Sequence, residues 1–158
     1  MRSRTLSKSE IRDINQLLFQ EYGFEPFSKK ELVTEVEGDV ATFIHIRGEP
    51  AFFYVDKLLI PTLKYVLQNK PFLKEIVVDM GAVKFVASGA DVMRPGIVNI
   101  AEDIVERELV VVVDEEHKKP LAVCRALQDA QALQVQTSGK SAENIHWVGD
   151  KIWKHGQD

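Results

Sequence analysis

A short segment near the middle of the chain combines the residue types that best suit the binding of a polyanion. Lys84 and Ser88 are four residues apart, so they lie on one face of the short helix predicted over residues 81–88. Gly89 fits the left-handed position that ends a helix, and Arg94 follows a few residues later. Cations and a hydroxyl group can bind the phosphates of a nucleic-acid backbone, and a glycine allows that backbone to approach the main chain closely. Taken alone, the same pattern also suits a solvated helix face with structural glycines.

The sequence SGKS at residues 138–141 is a second pattern that suggests phosphate chemistry. A nucleotide-binding phosphate loop needs a further glycine five residues before Gly139, and the residue there is Gln134. Because the backbone of such a loop must wrap around the phosphates, the missing glycine excludes this loop. The segment therefore predicts a local basic turn.

Side chains suited to catalysis or metal binding are few and dispersed. Cys124 lies in an apolar run, which predicts a buried and unreactive thiol. The four histidines of the chain show no metal-ligand spacing. Acidic residues are crowded within residues 102–116, but without a companion base they indicate a solvated charged face. We therefore predict no enzymatic activity, no metal site and no organic cofactor.

The composition restricts the kinds of partner that the chain can bind. Its 158 residues, 45% hydrophobic and 28% charged, are typical of a soluble globular protein with one domain or two small ones. The 20 basic and 24 acidic side chains give a formal charge of −4. Nucleic-acid binding through bulk positive charge is therefore excluded, and any such binding must come from a local patch.

Nothing in the sequence predicts a membrane partner. The longest aliphatic run spans residues 109–113, far short of the roughly 20 residues that cross a bilayer. The first residues are basic, but no apolar stretch follows them, so no signal peptide is predicted. We expect a cytoplasmic protein.

The N-terminal half is predicted to be a small α/β unit. Ser7 and Glu10 have the spacing of a capping box that begins a helix, and Gly23 is suited to end it. Four apolar residues recur between them at helical spacing: Ile11, Ile14, Leu17 and Leu18. Short β-type runs follow at residues 32–37, 40–47 and 51–55, and a second helix is predicted from Pro61 to about Asn69.

The pair Lys70-Pro71 is the best candidate for a domain boundary, because proline stops the preceding helix. Residues 1–73 hold ten basic and ten acidic side chains, whereas residues 74–158 hold ten basic and fourteen acidic ones. Beyond the boundary, short β-type runs surround one helical segment, and one of these runs is at residues 132–136. Such spacing predicts a small barrel or sandwich with one inserted helix.

The residues around the predicted helix also carry a resemblance to a known family. The pattern consists of Asp79, Gly81-Ala82, Gly89-Ala90, Met93 and Pro95-Gly96. It resembles the PUA domain, the small barrel named after pseudouridine synthases and archaeosine transglycosylases. The sequence GKSAENIHW at residues 139–147, with Asp150 and Ile152-Trp153, resembles more closely the malignant T-cell amplified sequence family of translation factors and its archaeal relatives.

This resemblance implies an α+β fold with two domains. Residues 1–73 would form a small N-terminal pre-PUA α/β domain, and residues 74–155 a PUA-type β-barrel with one inserted short helix. The resemblance rests on motifs in the second region and only on layout in the first. Cys124 and Glu108 depart from the family, because many PUA domains have glycine at these positions.

The resemblance also implies where RNA would bind. PUA domains bind structured RNA along the groove beside the short helix, aided by the final strand and the loop before it. The corresponding residues of this sequence are Lys84, Ser88, Gly89, Ala90, Arg94, Lys140, His146 and Lys151. Trp147 and Trp153 are candidates for stacking on bases, although we expect at least one of them to fill the core.

Members of this family act by binding at the small ribosomal subunit, in initiation or recycling, where initiator transfer RNA is handled. The partners implied by the resemblance are therefore transfer RNA or small-subunit ribosomal RNA, the small subunit itself and a protein cofactor. In eukaryotes that cofactor is the density-regulated factor.

Three alternatives stay open from the sequence. Another class of PUA proteins pairs a comparable N-terminal unit with the barrel in ribosome assembly. PUA domains also accompany RNA-modifying enzymes, so the chain is alternatively an accessory subunit of one. A module that binds only protein would have no RNA affinity.

Overall fold

The structure, a computed structural model, describes residues 2–157. These residues divide into two compact units, the first comprising residues 2–72 and 154–157 and the second residues 73–153. The sequence placed residues 154 and 155 with the second domain. In the structure they belong to the first unit, because the His155 ring stacks on Phe43 there. None of the helices described is long and apolar enough to span a membrane.

The first unit is an antiparallel five-stranded sheet with two helices. Its elements are β1 (Arg2–Thr5), α1 (Lys8–Tyr22), β2 (Val33–Glu37), β3 (Thr42–Ile46), β4 (Glu49–Val55), β5 (Leu58–Pro61) and α2 (Leu63–Gln68). The strands lie in the order β1-β2-β3-β4-β5, so each strand pairs with its neighbours in the chain. The predicted α/β character of this region is confirmed, and β1 and β5 are edge strands that the sequence did not predict.

Helix α1 shows how local signals and burial combine in the first unit. The Ser7 hydroxyl accepts a hydrogen bond from the Glu10 amide, and the Glu10 carboxylate accepts one from the Ser7 amide, which completes the predicted capping box. Gly23 ends the helix in the left-handed conformation. Leu17, however, is 53% exposed, and Asn15 is buried instead. The Asn15 side chain forms two hydrogen bonds with the Phe27 backbone, at 2.8 and 3.1 Å.

The second unit is a nearly closed mixed barrel. Its elements are β6 (Lys74–Val78), α3 (Met80–Val86), β7 (Val92–Met93), β8 (Ile97–Ile100), β9 (Leu109–Asp114), β10 (Pro120–Ala126), α4 (Ala130–Val135) and β11 (Lys140–Trp147). The strands lie in the order β7-β11-β10-β9-β6-β8. The β6–β9 pair is parallel and the others are antiparallel. This arrangement confirms the predicted fold class.

One predicted strand of the second unit is wrong. Residues 132–136 were expected to be extended, but Ala130–Val135 forms helix α4. Asp129 caps this helix by accepting a hydrogen bond from the Ala132 amide at 2.9 Å. Ala130 and Leu133, three residues apart, are buried together in the barrel core. The cap and this helical spacing therefore outweigh the apolar run that suggested a strand.

The barrel core is aliphatic and includes the single cysteine. Ile76, Val78, Val110 and Val112 are among its buried members. Cys124 packs within this cluster, and burial raises the pKa of its thiol. A thiol held in its protonated form is a poor nucleophile.

Candidate nucleic-acid interface

Helix α3 forms one wall of a groove in the second unit. Asp79 begins the helix by accepting a hydrogen bond from the Ala82 amide at 2.9 Å. The Asp79 amide donates to the Gly96 carbonyl at 2.9 Å, which holds the start of α3 beside the 3₁₀ turn Arg94–Gly96. A Cβ atom at Gly96 would lie 2.9 Å from the Ala82 side chain, so this close approach requires glycine.

This α3 groove has a volume of about 410 Å³. Its lining includes Ala82, Phe85 and Val86 from one wall and Val92, Met93 and Pro95 from the other. Phe85 is 58% exposed and Met93 is 47% exposed, so the groove presents apolar surface to solvent. An exposed aromatic side chain beside such a surface is suited to stacking on a base.

The predicted left-handed turn after α3 has a second reason to be glycine. Gly89 has a φ of +100°, and an added Cβ would lie 2.7 Å from the Trp147 ring. Trp147 is partly buried and packs on the barrel core. It therefore fills space beside Gly89, which is the role that we expected for at least one of the two tryptophans.

Neutral groups hold the end of α3. The Ser88 hydroxyl donates to the Lys84 carbonyl at 2.7 Å. The side-chain amide of Asn144 donates to the carbonyls of Val86 and Ala90, each at 3.0 Å. Asn144 was not among the predicted site residues, although it lies within the motif at residues 139–147. Its contacts with these residues span 58 and 54 positions of the sequence, and no local pattern indicates them.

Lys84 does not line the groove, but it is the neighbour of Phe85, which does. It is exposed, and its ammonium nitrogen lies 5.2 Å from the centroid of the Phe85 ring. Among residues 2–157 it forms no ion pair. A cation that forms no ion pair within the described residues therefore lies close to an exposed aromatic ring of the groove lining.

Lys140 lies near the opposite wall. It pairs with Met93 across β11 and β7, and its ammonium group contacts the Asp91 carboxylate at 3.0 Å. Its side chain is still 62% exposed. The hydrogen bond from the backbone amide of Asn144, together with Lys140, lowers the pKa of Asp91. The fold thus brings Lys140 to the groove from a distant part of the sequence.

Arg94 is engaged elsewhere. Its Nε atom donates to the Leu133 carbonyl at 2.7 Å, and its Nη1 atom donates to the Ile97 carbonyl at 3.3 Å. Nη2 lies 3.5 Å from the Gln134 carbonyl. Leu133 and Gln134 are in the last turn of α4, where backbone carbonyls lack partners within the helix. Arg94 therefore caps α4 instead of presenting a free cation beside Lys84.

The remaining predicted residues lie outside the α3 groove. His146 has no exposed surface, and its Nδ1 atom lies 2.9 Å from the Asp150 carboxylate. That carboxylate also accepts hydrogen bonds from the backbone amides of Trp147 and Trp153. His146 therefore stabilises the turn after β11. Because it is completely buried, it is not available for direct contact with RNA. Lys151 is exposed in that turn.

The described residues do not assemble a set of metal ligands. Among residues 2–157, no three His, Cys, Asp or Glu side chains are grouped so that they could hold a metal ion. The chemistry that the α3 groove offers is an apolar surface with an aromatic ring and two flanking ammonium groups.

Comparisons with known proteins give relatives in archaea and eukaryotes. An uncharacterized protein of Methanocaldococcus jannaschii is 43% identical over 150 residues, covering 94% of this chain and 93% of the relative. Translation machinery-associated protein 20 of Schizosaccharomyces pombe is 32% identical, covering 82% of this chain and 75% of the relative. Malignant T-cell-amplified sequence 1 of Rattus norvegicus is 32% identical, covering 94% of this chain and 87% of the relative.

Family and structure comparisons agree with these relatives. The PUA domain family matches residues 74–148. The crystal structure of a hypothetical protein from Pyrococcus horikoshii superposes with a TM-score of 0.82 at 32% identity, covering 97% of this chain and 98% of that one. On the strength of these matches, this chain belongs to the family of PUA-domain proteins that includes malignant T-cell-amplified sequence 1 and translation machinery-associated protein 20.

Proposed function

We propose that this chain is an RNA-binding translation factor that acts without catalysis. Its target would be structured RNA, either transfer RNA or small-subunit ribosomal RNA, at the small ribosomal subunit during initiation or recycling. The observation that carries the proposal is the α3 groove, an apolar surface lined by Phe85, with Lys84 next to that ring and Lys140 near the other wall. The name of one relative, translation machinery-associated protein 20, supports a role in translation, and malignant T-cell-amplified sequence 1 belongs to the same family.

The distribution of charge determines how such binding would work. The chain carries a formal charge of −4, so its overall field repels RNA. Lys84 and Lys140 are exposed cations that could contact phosphates on either side of the groove. The exposed ring of Phe85, 5.2 Å from the Lys84 ammonium, offers a surface for an unstacked base. Affinity would then depend on a few local contacts.

The proposed contact set is smaller than the set implied by the sequence. It keeps Ala90, which lines the α3 groove, and four residues outside that lining: Lys84, Ser88 and Gly89 in or after α3, and Lys140, which pairs with the lining residue Met93. Arg94 becomes a positioning residue, because its guanidinium group holds the end of α4. Lys151 stays as an outlying candidate.

We further propose that residues 74–155 include an autonomous PUA domain and that residues 1–73 form a pre-PUA domain with a second contact surface. A protein cofactor or the small subunit would bind that second surface. The neutral charge balance of residues 1–73 favours a protein partner there over RNA, since it offers no excess of cations.

Crosslinking in the cells of origin tests the proposed function. The tagged full-length chain is crosslinked to RNA by ultraviolet light, and the bound RNA is sequenced. We expect initiator transfer RNA or small-subunit ribosomal RNA, with a large loss of signal in a Lys84→Glu, Lys140→Glu double variant. A Lys29→Glu, Lys30→Glu variant is the charge-matched control and should retain the signal.

Each other outcome would contradict the proposal in a different way. Precursor ribosomal RNA across processing sites would indicate an assembly factor. One set of modified transfer RNAs would indicate an accessory subunit of a modifying enzyme. No RNA above background would indicate a module that binds only protein.

A further inference from the structure

Residues 154–157 pack against the sheet of the first unit through the side chain of His155. Its imidazole ring stacks on the Phe43 ring in β3, with 3.6 Å between centroids and 7° between planes. Phe43 has no exposed surface, and His155 covers one face of its ring. The Gln157 amide donates to the Lys154 carbonyl at 3.0 Å, which closes a turn around His155. His155 therefore anchors the segment of residues 154–157.

Gly38 leaves the space that this ring occupies. A Cβ atom at Gly38 would lie 3.1 Å from both Cε1 and Nδ1 of His155. Gly38 does not have a positive φ, so its backbone conformation does not require glycine. The lack of a side chain matters here because the imidazole ring lies directly against the backbone.

A hydrogen bond between two imidazoles completes the seat. Nε2 of His155 lies 3.0 Å from Nε2 of His45 in β3. One of these nitrogens must donate and the other must accept, so one of them must lack a proton. The bond survives a single additional proton, which produces an imidazolium donor facing a neutral acceptor. It cannot survive protonation of both rings, because two N–H groups would then face each other.

We propose that residues 154–157 form a pH-sensitive latch, closed while at least one ring of the His45–His155 pair is neutral and opened when both rings are protonated. Opening would uncover the Phe43 ring and the backbone at Gly38. Opening would also release residues 154–157 from the rest of the first unit.

The surroundings of His155 disfavour its protonation in the closed latch. Burial is the main reason that the pKa of His155 is lowered. The neighbouring His45 and Lys64 lower it further, because they place positive charge near the ring. The Asp39 carboxylate opposes them without reversing the direction.

The pKa of His45 is lowered by burial as well, and a backbone hydrogen bond with Gly48 and the Glu49 carboxylate only partly offset this effect. A free histidine has an ordinary pKa of about 6.5, and the closed latch holds both rings below that value. The open state therefore binds protons more readily, and protons favour opening. The closed state is fully favoured above about pH 6.5 and becomes less stable as the pH falls below it.

Nuclear magnetic resonance of the full-length chain can test the latch directly. Stacking on Phe43 should displace the ring-proton resonances of His155 upfield, because these protons lie over the face of another ring. We expect this displacement at about pH 7.5 and its loss near pH 5, on either side of the ordinary pKa. EDTA is added to prevent a metal ion from bridging the two imidazoles. His117, whose side chain is 77% exposed, provides an internal reference without such stacking.

Two variants separate protonation from other causes of opening. His155→Phe preserves an aromatic ring for stacking and cannot be protonated, so the displacement of the ring protons at this position should be the same at both pH values. Gly38→Ala intrudes on the seat and should reduce the His155 displacement already at the higher pH.

Either of two results would overturn the proposal. The first is an unchanged His155 displacement in the natural chain between the two pH values. The second is an equal loss of displacement in His155→Phe, because opening would then have a cause other than protonation of this pair. Loss of folding at the lower pH would appear in the resonances of both units and would also count against a local latch.

Discussion

The C-terminal ends of α3 and α4 are held by different chemistry, and this difference decides which cations of the second unit can reach a ligand. At α3, neutral groups satisfy the last carbonyls: the Ser88 hydroxyl donates to the Lys84 carbonyl, and the side-chain amide of Asn144 donates to the Val86 carbonyl. At α4, the charged guanidinium of Arg94 donates to Leu133. The positive charge beside α3 therefore stays free, whereas the charge at α4 is used inside the fold.

A basic residue that is close in sequence to the residues of a groove is thus not always available to bind a ligand there. Lys84 and Arg94 are ten residues apart and look equivalent in the sequence. An arginine has a planar group with several donors, which suits the converging carbonyls of a helix end. A lysine has a flexible point charge, which suits a solvent-exposed phosphate contact.

The largest effect is expected from closing the space at the end of α3. Gly89→Val should lower the free energy of unfolding of the full chain by about 2–5 kcal/mol, since it combines left-handed strain with a clash against the Trp147 ring. Chemical denaturation measures this change. Gly149 also has a positive φ but has no atom within 4 Å of an added Cβ. Gly149→Val is thus the matched control and should show only the strain, about 1–2 kcal/mol.

Reversing the charges of Lys84 and Lys140 should abolish most RNA affinity while leaving the fold intact. Each lost phosphate contact costs about 1 kcal/mol or more, so Lys84→Glu with Lys140→Glu should weaken binding by roughly 30-fold or more. The unfolding free energy should change by less than about 1 kcal/mol, because Lys84 forms no ion pair among residues 2–157 and the Lys140 side chain, paired with Asp91, is 62% exposed. Titration with the RNA recovered by crosslinking measures the affinity, at several salt concentrations. Equal weakening by Lys29→Glu with Lys30→Glu would place the main contact in the first unit.

Replacing Arg94 should have the opposite result, a loss of stability with little change in RNA affinity. Arg94→Met should lower the free energy of unfolding by about 1–2 kcal/mol, because the Leu133 and Gln134 carbonyls at the end of α4 and the Ile97 carbonyl lose their charged donor. RNA affinity per folded molecule should stay close to that of the natural chain. Denaturation and RNA titration of the same sample check both parts. A large loss of affinity with unchanged stability would show that Arg94 contacts RNA.

The smallest effect concerns the Asp91 carboxylate, which forms an ion pair with Lys140. Asp91 should titrate below its ordinary pKa of 3.8, mainly because the backbone amide of Asn144 donates to it, with Lys140 second. Its stabilising contribution is therefore present above pH 3.8 and is lost as the pH falls through the lowered value. In Lys140→Gln the carboxyl pKa should rise but remain below 3.8. Carbon-detected magnetic resonance of the Asp91 carboxyl measures both values, and a full return to the ordinary pKa would assign the effect to Lys140 alone.

Local signals in the sequence predicted the parts of the molecule that are stabilised by near neighbours. The capping box of Ser7 and Glu10 begins α1, because both of its hydrogen bonds join residues three apart. The left-handed turn at Gly89 follows from the lack of a side chain. The motif around α3 also allowed the family and the fold class to be predicted before any distant contact was known.

Elements that depend on distant partners were not predictable in this way. Strand β1 has no apolar alternation and forms by pairing with β2, where Arg2 contacts Glu37 and Arg4 contacts Glu35. Leu17 is exposed and Asn15 is buried, against the expected pattern, because Asn15 finds its partner at Phe27. In each case the sequence contains the residue but does not indicate its partner.

Residue types and their spacing predicted a small barrel or sandwich, a short helix followed by a left-handed turn, and too little positive charge to bind RNA without a local patch. The resemblance of the motif around that helix then identified the barrel as a PUA domain. The folded chain was needed to show that Lys140 pairs with Met93 at the groove, that Arg94 caps α4, that His146 is buried on Asp150 and that His155 returns to Phe43. The reason is physical. Residue type and spacing govern backbone conformation over a few residues, whereas the availability of a charge or a ring depends on which distant groups surround it after the chain has folded.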